Sequence, residues 1–221
     1  MPLALVTGAA RPNSIAAGIV PRLCAEGWTV ITSDLRDADV LVDLSTSDGP
    51  EALIRSVNET HGTIEALVLS HAHDVESGIL DTTAADFDAH MAVNARASLL
   101  LTAAFARQLG GSGGAIVALT SDHTTGNLPY GASKGALDRI IISAARELGP
   151  LGISANVLNP GPIDTGWITE QLRDDLVPMH PLGRLGEPAD IAAIVAFLIS
   201  PEGRWISGQL LNADGGFSAR Y

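Results

Sequence analysis

The stretch that decides the fold reads Leu3-Ala4-Leu5-Val6-Thr7-Gly8-Ala9-Ala10-Arg11-Pro12-Asn13-Ser14, followed by Ile15-Ala16. Five residues suited to a buried strand run into a glycine, a short polar turn, and a serine placed to cap a helix. The helix extends from Ser14 to Glu26 and Gly27 closes it. Working outward, short β-like runs alternate with longer helical ones. Strands are expected at Trp28–Ser33, Val40–Asp43, Ile64–Ser70, Ala115–Thr120, Ile153–Leu158 and Gln209–Asn212. Helices are expected at Pro50–His61, Asp86–Leu109, Tyr130–Leu148 and Glu187–Ile199. Such alternation gives a doubly wound, mainly parallel α/β sheet of Rossmann type. Only Asp34–Asp39 separates the second and third strands, too few residues for a crossover helix, so that helix is missing. With no repeat and no long linker, residues 1–221 are read as a single domain.

Composition narrows the function classes. The 221 residues carry 25 acidic against 13 basic side chains, a net charge of −12. Such a surface repels phosphate backbones, so no nucleic-acid partner is expected. The longest clean apolar stretch, Ile191–Ile199, is too short for the roughly 20 residues of a membrane helix. No membrane partner is expected, and no signal peptide is read at the N-terminus. A lone Cys24 excludes a disulfide within the chain and suits a cytoplasmic location.

The first turn lies where a pyrophosphate can meet free N–H groups and the positive end of a helix dipole. The usual three glycines are not there. Gly8 is in place, while Pro12 and Ser14 stand where later glycines would be. Ser14 either binds phosphate or serves only as a cap. Asp34 ends the second strand, 26 positions after Gly8. A carboxylate there accepts both ribose hydroxyls of NAD and repels the 2′-phosphate of NADP; the alternative is a solvated turn residue. Tyr130 and Lys134, four apart, share one helix face. An ammonium beside a phenol lowers its pKa and makes it a general acid/base, although an isolated pair of this spacing is more commonly a surface feature. Ser121 follows a strand at the sheet edge where such folds place their sites. Asn94 sits inside a long helix, where asparagine is a poor helix former.

These residues, with Asp43-Leu44, Val93-Asn94, Tyr130-Gly131-Ala132-Ser133-Lys134, Asn159-Pro160-Gly161 with Thr165, Pro181-Leu182-Gly183-Arg184 and Asp214-Gly215-Gly216, resemble the short-chain dehydrogenase/reductase family over nearly the whole chain. The similarity leans toward the 3-oxoacyl-ACP reductase-like branch. It implies Tyr130 as proton donor or base, with Lys134 lowering its pKa and holding the nicotinamide ribose. It implies Ser121 on the substrate oxygen, and Asn94 on a water that links Lys134 to solvent. Cofactor contacts are implied for Gly8, Arg11, Ser14, Ile15, Asp34, Asp43, Leu44, Ser70, Tyr130, Lys134, Pro160, Gly161, Ile163 and Thr165. The cofactor expected is NAD; Arg11 leaves NADP open. The substrate expected is a small carbonyl or alcohol, a 3-oxoacyl thioester being one option. A homotetramer or homodimer is expected by resemblance.

Four departures qualify this. The Gly8 loop resembles that of enoyl-ACP reductases, whereas the Tyr130–Lys134 spacing is that of carbonyl reductases. The helix between strands two and three is absent. Nine positions from Ser121 to Tyr130 demand a tight loop. Ser70-His71-Ala72-His73 replaces the family's Asn-Asn-Ala-Gly. His71 and His73 invite a metal reading, but Val75 and Glu76 do not continue one, so no metal is expected. His73 contacts substrate or points to solvent; His123 is the better candidate for the pocket wall, its alternative being a place off the pocket, and His180 either lines a lid or sits in a surface loop. Gly166–Pro181, with Trp167, Ile168, Leu172, Leu176 and Met179 at helical spacing, reads as an amphipathic helix; the resemblance implies that it covers the substrate, core packing being the alternative. A non-enzymatic NAD sensor or scaffold is the rival function.

Overall fold

The computed structural model describes residues 1–166 and 168–219. Seven strands form one parallel sheet in the order β3-β2-β1-β4-β5-β6-β7. They are β1 Leu3–Thr7, β2 Thr29–Asp34, β3 Val40–Leu41, β4 Ala66–Leu69, β5 Gly114–Leu119, β6 Ile153–Asn159 and β7 Leu210–Asn212. β1, β4, β5 and β6 are buried along their whole length. Parallel strands covered on both faces need continuous Leu, Val, Ile and Ala, and these supply them.

Helices α1 (Ile15–Ala25) and α7 (Pro188–Ile199) pack on one face, around Ile19, Leu23, Val195 and Ile199. On the other face lie α2 (Gly49–His61), α4 (Ala97–Leu109) and α5 (Leu128–Leu148), around Leu53, Leu101, Phe105 and Ile141. Burying a side chain of this size contributes about 1.5–3 kcal/mol. Small residues let the layers close: a Cβ on Gly18 of α1 would fall 2.7 Å from Cβ of Pro188.

β3 has two residues where four were expected, and its shortness explains the missing crossover. Ser33 pairs with Val40 and Asp34 with Leu41, so the strands meet only at their last residues. The chain therefore never travels back along β2. Asp39 Oδ2 fastens the five-residue turn by accepting from Thr32 N (2.8 Å) and Thr32 Oγ1 (2.7 Å).

The helix expected at Asp86–Leu109 begins earlier and is not uniform. It comprises α3 (Ala84–His90), a π-helical segment Met91–Arg96, and α4. A π segment widens the turn by one residue, a distortion often found at functional sites. Here it carries Asn94. The cover segment is helical only over α6 (Glu170–Leu176), with one 3₁₀ turn at Val177–Met179. No helix among the described residues is long and apolar enough to cross a membrane.

Candidate active site

A cavity of about 1030 Å³ opens at the C-terminal edge of the sheet, between the β1–α1 loop and the N-terminal half of α5. The crossing point of a doubly wound sheet leaves such a crevice.

One end is made by the first loop and the ends of β2 and β3. Gly8, Arg11, Ser14 and Ile15 lie on its wall. Gly8 has φ +73°, and a Cβ there would sit 2.6 Å from the backbone N and Cα of His71. Only glycine lets β1 and the β4 loop approach this closely. Ser14 caps α1, its Oγ accepting from Ala17 N at 3.2 Å. Arg11 reaches the Thr165 carbonyl oxygen at 3.4 Å. Asp34, Asp43 and Leu44 share the wall. Asp34 uses both carboxylate oxygens on backbone: Oδ2 accepts from Ala10 N (2.9 Å) and Oδ1 from Leu35 N (2.7 Å). The acid therefore ties the Gly8 loop to β2. Hydrogen bonds from Ser45 hold the Asp43 carboxyl below its usual range.

The other end is made by the loop after β4, by α5 and by the segment before α6. Tyr130 and Lys134 both face the cavity, the Lys134 Nζ lying 5.6 Å from the Tyr130 ring centroid. Lys134 is buried and Nζ donates to the Leu119 carbonyl oxygen at 2.8 Å. Burial pushes its pKa down to about 8, against the opposing pull of Asp138 and Asp74. The Tyr130 phenol goes the opposite way from the expectation. Burial, and then the Asp74 carboxylate, push its pKa up. Spacing showed the cation beside the phenol but not the acid opposite it.

The tight loop before Tyr130 is explained by Gly131, whose Cβ would fall 2.1 Å from the His123 carbonyl oxygen. His123 lies edge-on to Tyr130 with centroids 6.3 Å apart. It is not among the described residues on the cavity wall.

Ser70 is on the wall, as are Pro160 and Thr165. Four expected site residues, Asn94, Ser121, Gly161 and Ile163, are not among the described residues that form it. Asn94 is buried behind it. Its Oδ1 accepts from His73 N (2.7 Å), while Nδ2 donates to His73 O (2.9 Å) and Ser133 Oγ (2.8 Å). The side chain thus pins the β4 loop to α5. Ser121 Oγ accepts from His123 N at 3.2 Å. Gly161 (φ +61°) permits close contact with Asp214, where a Cβ would lie 2.5 Å from Cβ of the aspartate. The Ile163 side chain packs into the core, bridged to Gly186.

The histidines resolve into separate roles. His71 is buried, its Nδ1 2.7 Å from Thr7 Oγ1 and Nε2 3.1 Å from the Val93 carbonyl oxygen. Burial, reinforced by Lys134, pushes its pKa down to about 3. The natural tautomer donates from Nε2 to Val93 and accepts from Thr7. His73 stacks edge-on to His90, with centroids 4.5 Å apart. His180 is neither lid nor surface: it is buried against Phe217, and Nδ1 lies 2.8 Å from the Leu176 carbonyl oxygen. No group of three metal-ligating side chains occurs among the described residues. Of the cover segment, Ile168 and Leu172 reach the wall, Met179 is exposed, and Trp167 lies outside the described residues.

Three charged residues on the wall were missed: Arg36, Asp74 and Glu76. Arg36 could have been found from its place two residues past Asp34. Asp74 and Glu76 follow the altered Ser70–His73 stretch, where attention fell on the histidines.

Comparison with known proteins agrees with this architecture. A family model described as enoyl-(acyl carrier protein) reductase matches residues 8–218. An uncharacterized oxidoreductase, YjdA, from Bacillus subtilis (strain 168) is 33% identical over 241 residues, covering 97% of this chain and 96% of its own. A (3R)-3-hydroxyacyl-CoA dehydrogenase of Mus musculus is 32% identical over 248 residues, covering 97% and 95%. The crystal structure of a blue fluorescent protein from a metagenomic library, in complex with NADPH, superposes with a TM-score of 0.89 at 30% identity, covering 98% of each chain. With its parallel sheet, its crevice and its ordered motifs, the chain is a member of the short-chain dehydrogenase/reductase family of oxidoreductases.

Proposed function

We propose that the chain, folding as one domain, interconverts a secondary alcohol and a ketone with a nicotinamide dinucleotide. The observation that carries this reading is the placement of Tyr130 and Lys134 on the same cavity wall as the Gly8 loop and Asp34. The residues present fit a dinucleotide. Gly8 has no room for a side chain, the first turn of α1 borders the cavity, and two carboxylates and two guanidiniums line that end. NADPH in the superposed structure supports the same class of ligand.

Gly8, Arg11, Ser14, Ile15 and Ser70 would hold the phosphates and neighbouring ribose, and Asp34, Asp43 and Leu44 the adenosine. Tyr130, Lys134, Pro160 and Thr165 would hold the nicotinamide half, with Gly161 and Ile163 setting the turn behind them. Asp34 favours NAD by charge; Arg11 and Arg36 keep NADP as the competing cofactor. When bound, the nicotinamide supplies or accepts the hydride.

The protein supplies position and a proton. In ketone reduction Tyr130 gives its phenolic proton to the carbonyl oxygen. A phenol whose pKa is raised stays protonated at neutral pH but gives up its proton less readily, so the transfer draws on the Lys134 ammonium beside it. In the reverse direction the phenolate must form, and the Lys134 ammonium stabilises it. With a pKa near 8, Lys134 is mostly charged at neutral pH and loses that charge in mild alkali. Ser121 would turn its hydroxyl from His123 N to the substrate oxygen. Asn94 acts as a positioning residue, since it holds the backbone of the loop that faces Tyr130. Ile168 and Leu172 cover the site with apolar surface and exclude water. The family resemblance further supports a cytoplasmic homotetramer or homodimer; a monomeric mass in solution would refute the assembly.

The test is turnover of a ketone panel by the wild type and Tyr130→Phe, with NADH and NADPH supplied in turn. The reading expects wild-type turnover and a loss of about 10²–10⁴-fold in the variant. A non-enzymatic sensor would bind cofactor and turn nothing over.

A further inference from the structure

We propose that Asp74, seconded by Glu76, selects a substrate that carries a positive charge: a small ketone or secondary alcohol bearing a cationic nitrogen. This rests on the oxidoreductase reading of the cavity and names the substrate class of that site.

Charge is unevenly distributed along the cavity wall. At the Gly8 end, Arg11 and Arg36 face Asp34 and Asp43, two cations against two anions. Among the described residues, the wall at the Tyr130 end carries Asp74 and Glu76 against one cation, Lys134. Lys134 is not open to a ligand's charge in the same way. It is buried, and its ammonium is committed to the Leu119 carbonyl oxygen. The two carboxylates are both exposed to the cavity mouth. Asp74 Oδ1 accepts from Asn127 Nδ2 at 2.5 Å, and Asp74 Oδ2 and Glu76 have no hydrogen-bond partner among the described residues. Asn127 is itself buried, and its Oδ1 has no partner among the described residues. A carboxylate on the cavity wall with one oxygen free of any donor among the described residues is a negative charge open to a ligand cation.

The field of Asp74 reaches the reacting group, since its charge acts on both Tyr130 and Lys134. A ligand cation beside Asp74 therefore improves two things together. It satisfies the carboxylate, and it offsets the negative charge opposed to a phenolate at Tyr130. An anionic substrate meets the opposite field, within a chain of net charge −12. Ile168 and Leu172 across the mouth suit the carbon skeleton of such an amine and offer no counter-ion to an acid. Specificity here is a difference in transition-state binding between a cation and its neutral isostere.

The test compares kcat/KM for three methyl ketones of one length, with both nicotinamide cofactors supplied. One carries a trimethylammonium group, one its tert-butyl isostere, one a carboxylate; a short 3-oxoacyl thioester is a fourth arm. Proteins are the wild type, Asp74→Asn, and Asp74→Asn with Glu76→Gln. Asparagine retains an acceptor for Asn127 Nδ2, so the loop is kept. In the wild type the ammonium ketone should exceed its isostere about tenfold or more, and the carboxylate should be the poorest. That ratio should fall several-fold in the single variant and to near one in the double. The ratio is the readout because any change in Tyr130 acidity is common to both ketones and cancels. Turnover without cation preference, preference for the carboxylate or the thioester, or a ratio unmoved by the substitutions overturns the proposal and leaves the oxidoreductase reading standing. Turnover of no ketone with either cofactor overturns both.

Discussion

The end of the cavity formed by the Gly8 loop and Asp34 is built largely from backbone. Its shape follows from a glycine at positive φ, a capped helix start, and a carboxylate that clasps two backbone N–H groups. The end formed by Tyr130 is built from side chains that meet only through the fold: Lys134 on the Leu119 carbonyl, Asn94 on His73, and Asp74 on the same wall as the phenol, its charge acting on it. The first kind of site depends on local sequence, and the second on neighbours far away in the chain. The acidity of the Tyr130 phenol is therefore lowered by burial and by Asp74.

This contrast can be broken in several places. Gly8→Val has the largest expected effect. It forces a side chain into a positive-φ position, against the backbone of His71. It should cost about 3 kcal/mol or more in stability, read by chemical denaturation, and abolish cofactor binding. Asn94→Ala attacks the other end. Three hydrogen bonds go, the buried one to Ser133 and two part-buried ones to the His73 backbone. A loss of about 2–4 kcal/mol in urea unfolding is expected, with kcat falling as the loop facing Tyr130 loosens.

A pH series sharpens the comparison further. His71 has a folded pKa near 3 against an ordinary 6.5, so between those values the unfolded chain holds more protons. Its contribution is complete above pH 6.5 and is lost as pH falls toward 3, at up to about 1.4 kcal/mol per pH unit. Unfolding free energies of the wild type should slope accordingly, and those of His71→Asn should lack that part of the slope. The smallest effect belongs to Arg36→Ala. It should shift the NADPH-to-NADH affinity ratio down by a few-fold, measured by fluorescence titration.

How much was readable follows the same division. The strand–turn–helix at residues 3–26, the parallel order, the missing crossover and the Tyr130–Lys134 pairing came from patterns contained in short segments. The shortening of β3 was not legible, because it depends on Asp39 folding back onto Thr32. The π segment was hidden within a good helical pattern, and only Asn94 hinted at it. Ser121 was placed at the correct sheet edge, but its hydroxyl turned out to be engaged by His123 N. The direction of the Tyr130 shift could not be read at all, since Asp74 lies 56 positions away in sequence.

The central claim is that one end of the cavity holds the dinucleotide and the other does the proton chemistry. Cofactor titration and ketone turnover on the same samples of wild type, Asp34→Ala and Tyr130→Phe test it most directly. The account predicts that Asp34→Ala weakens NADH binding about tenfold and acts mainly on KM. Tyr130→Phe should still bind NADH within a few-fold of wild type while losing nearly all turnover. Retention of turnover by Tyr130→Phe, or parallel loss of binding and turnover in both variants, would contradict it.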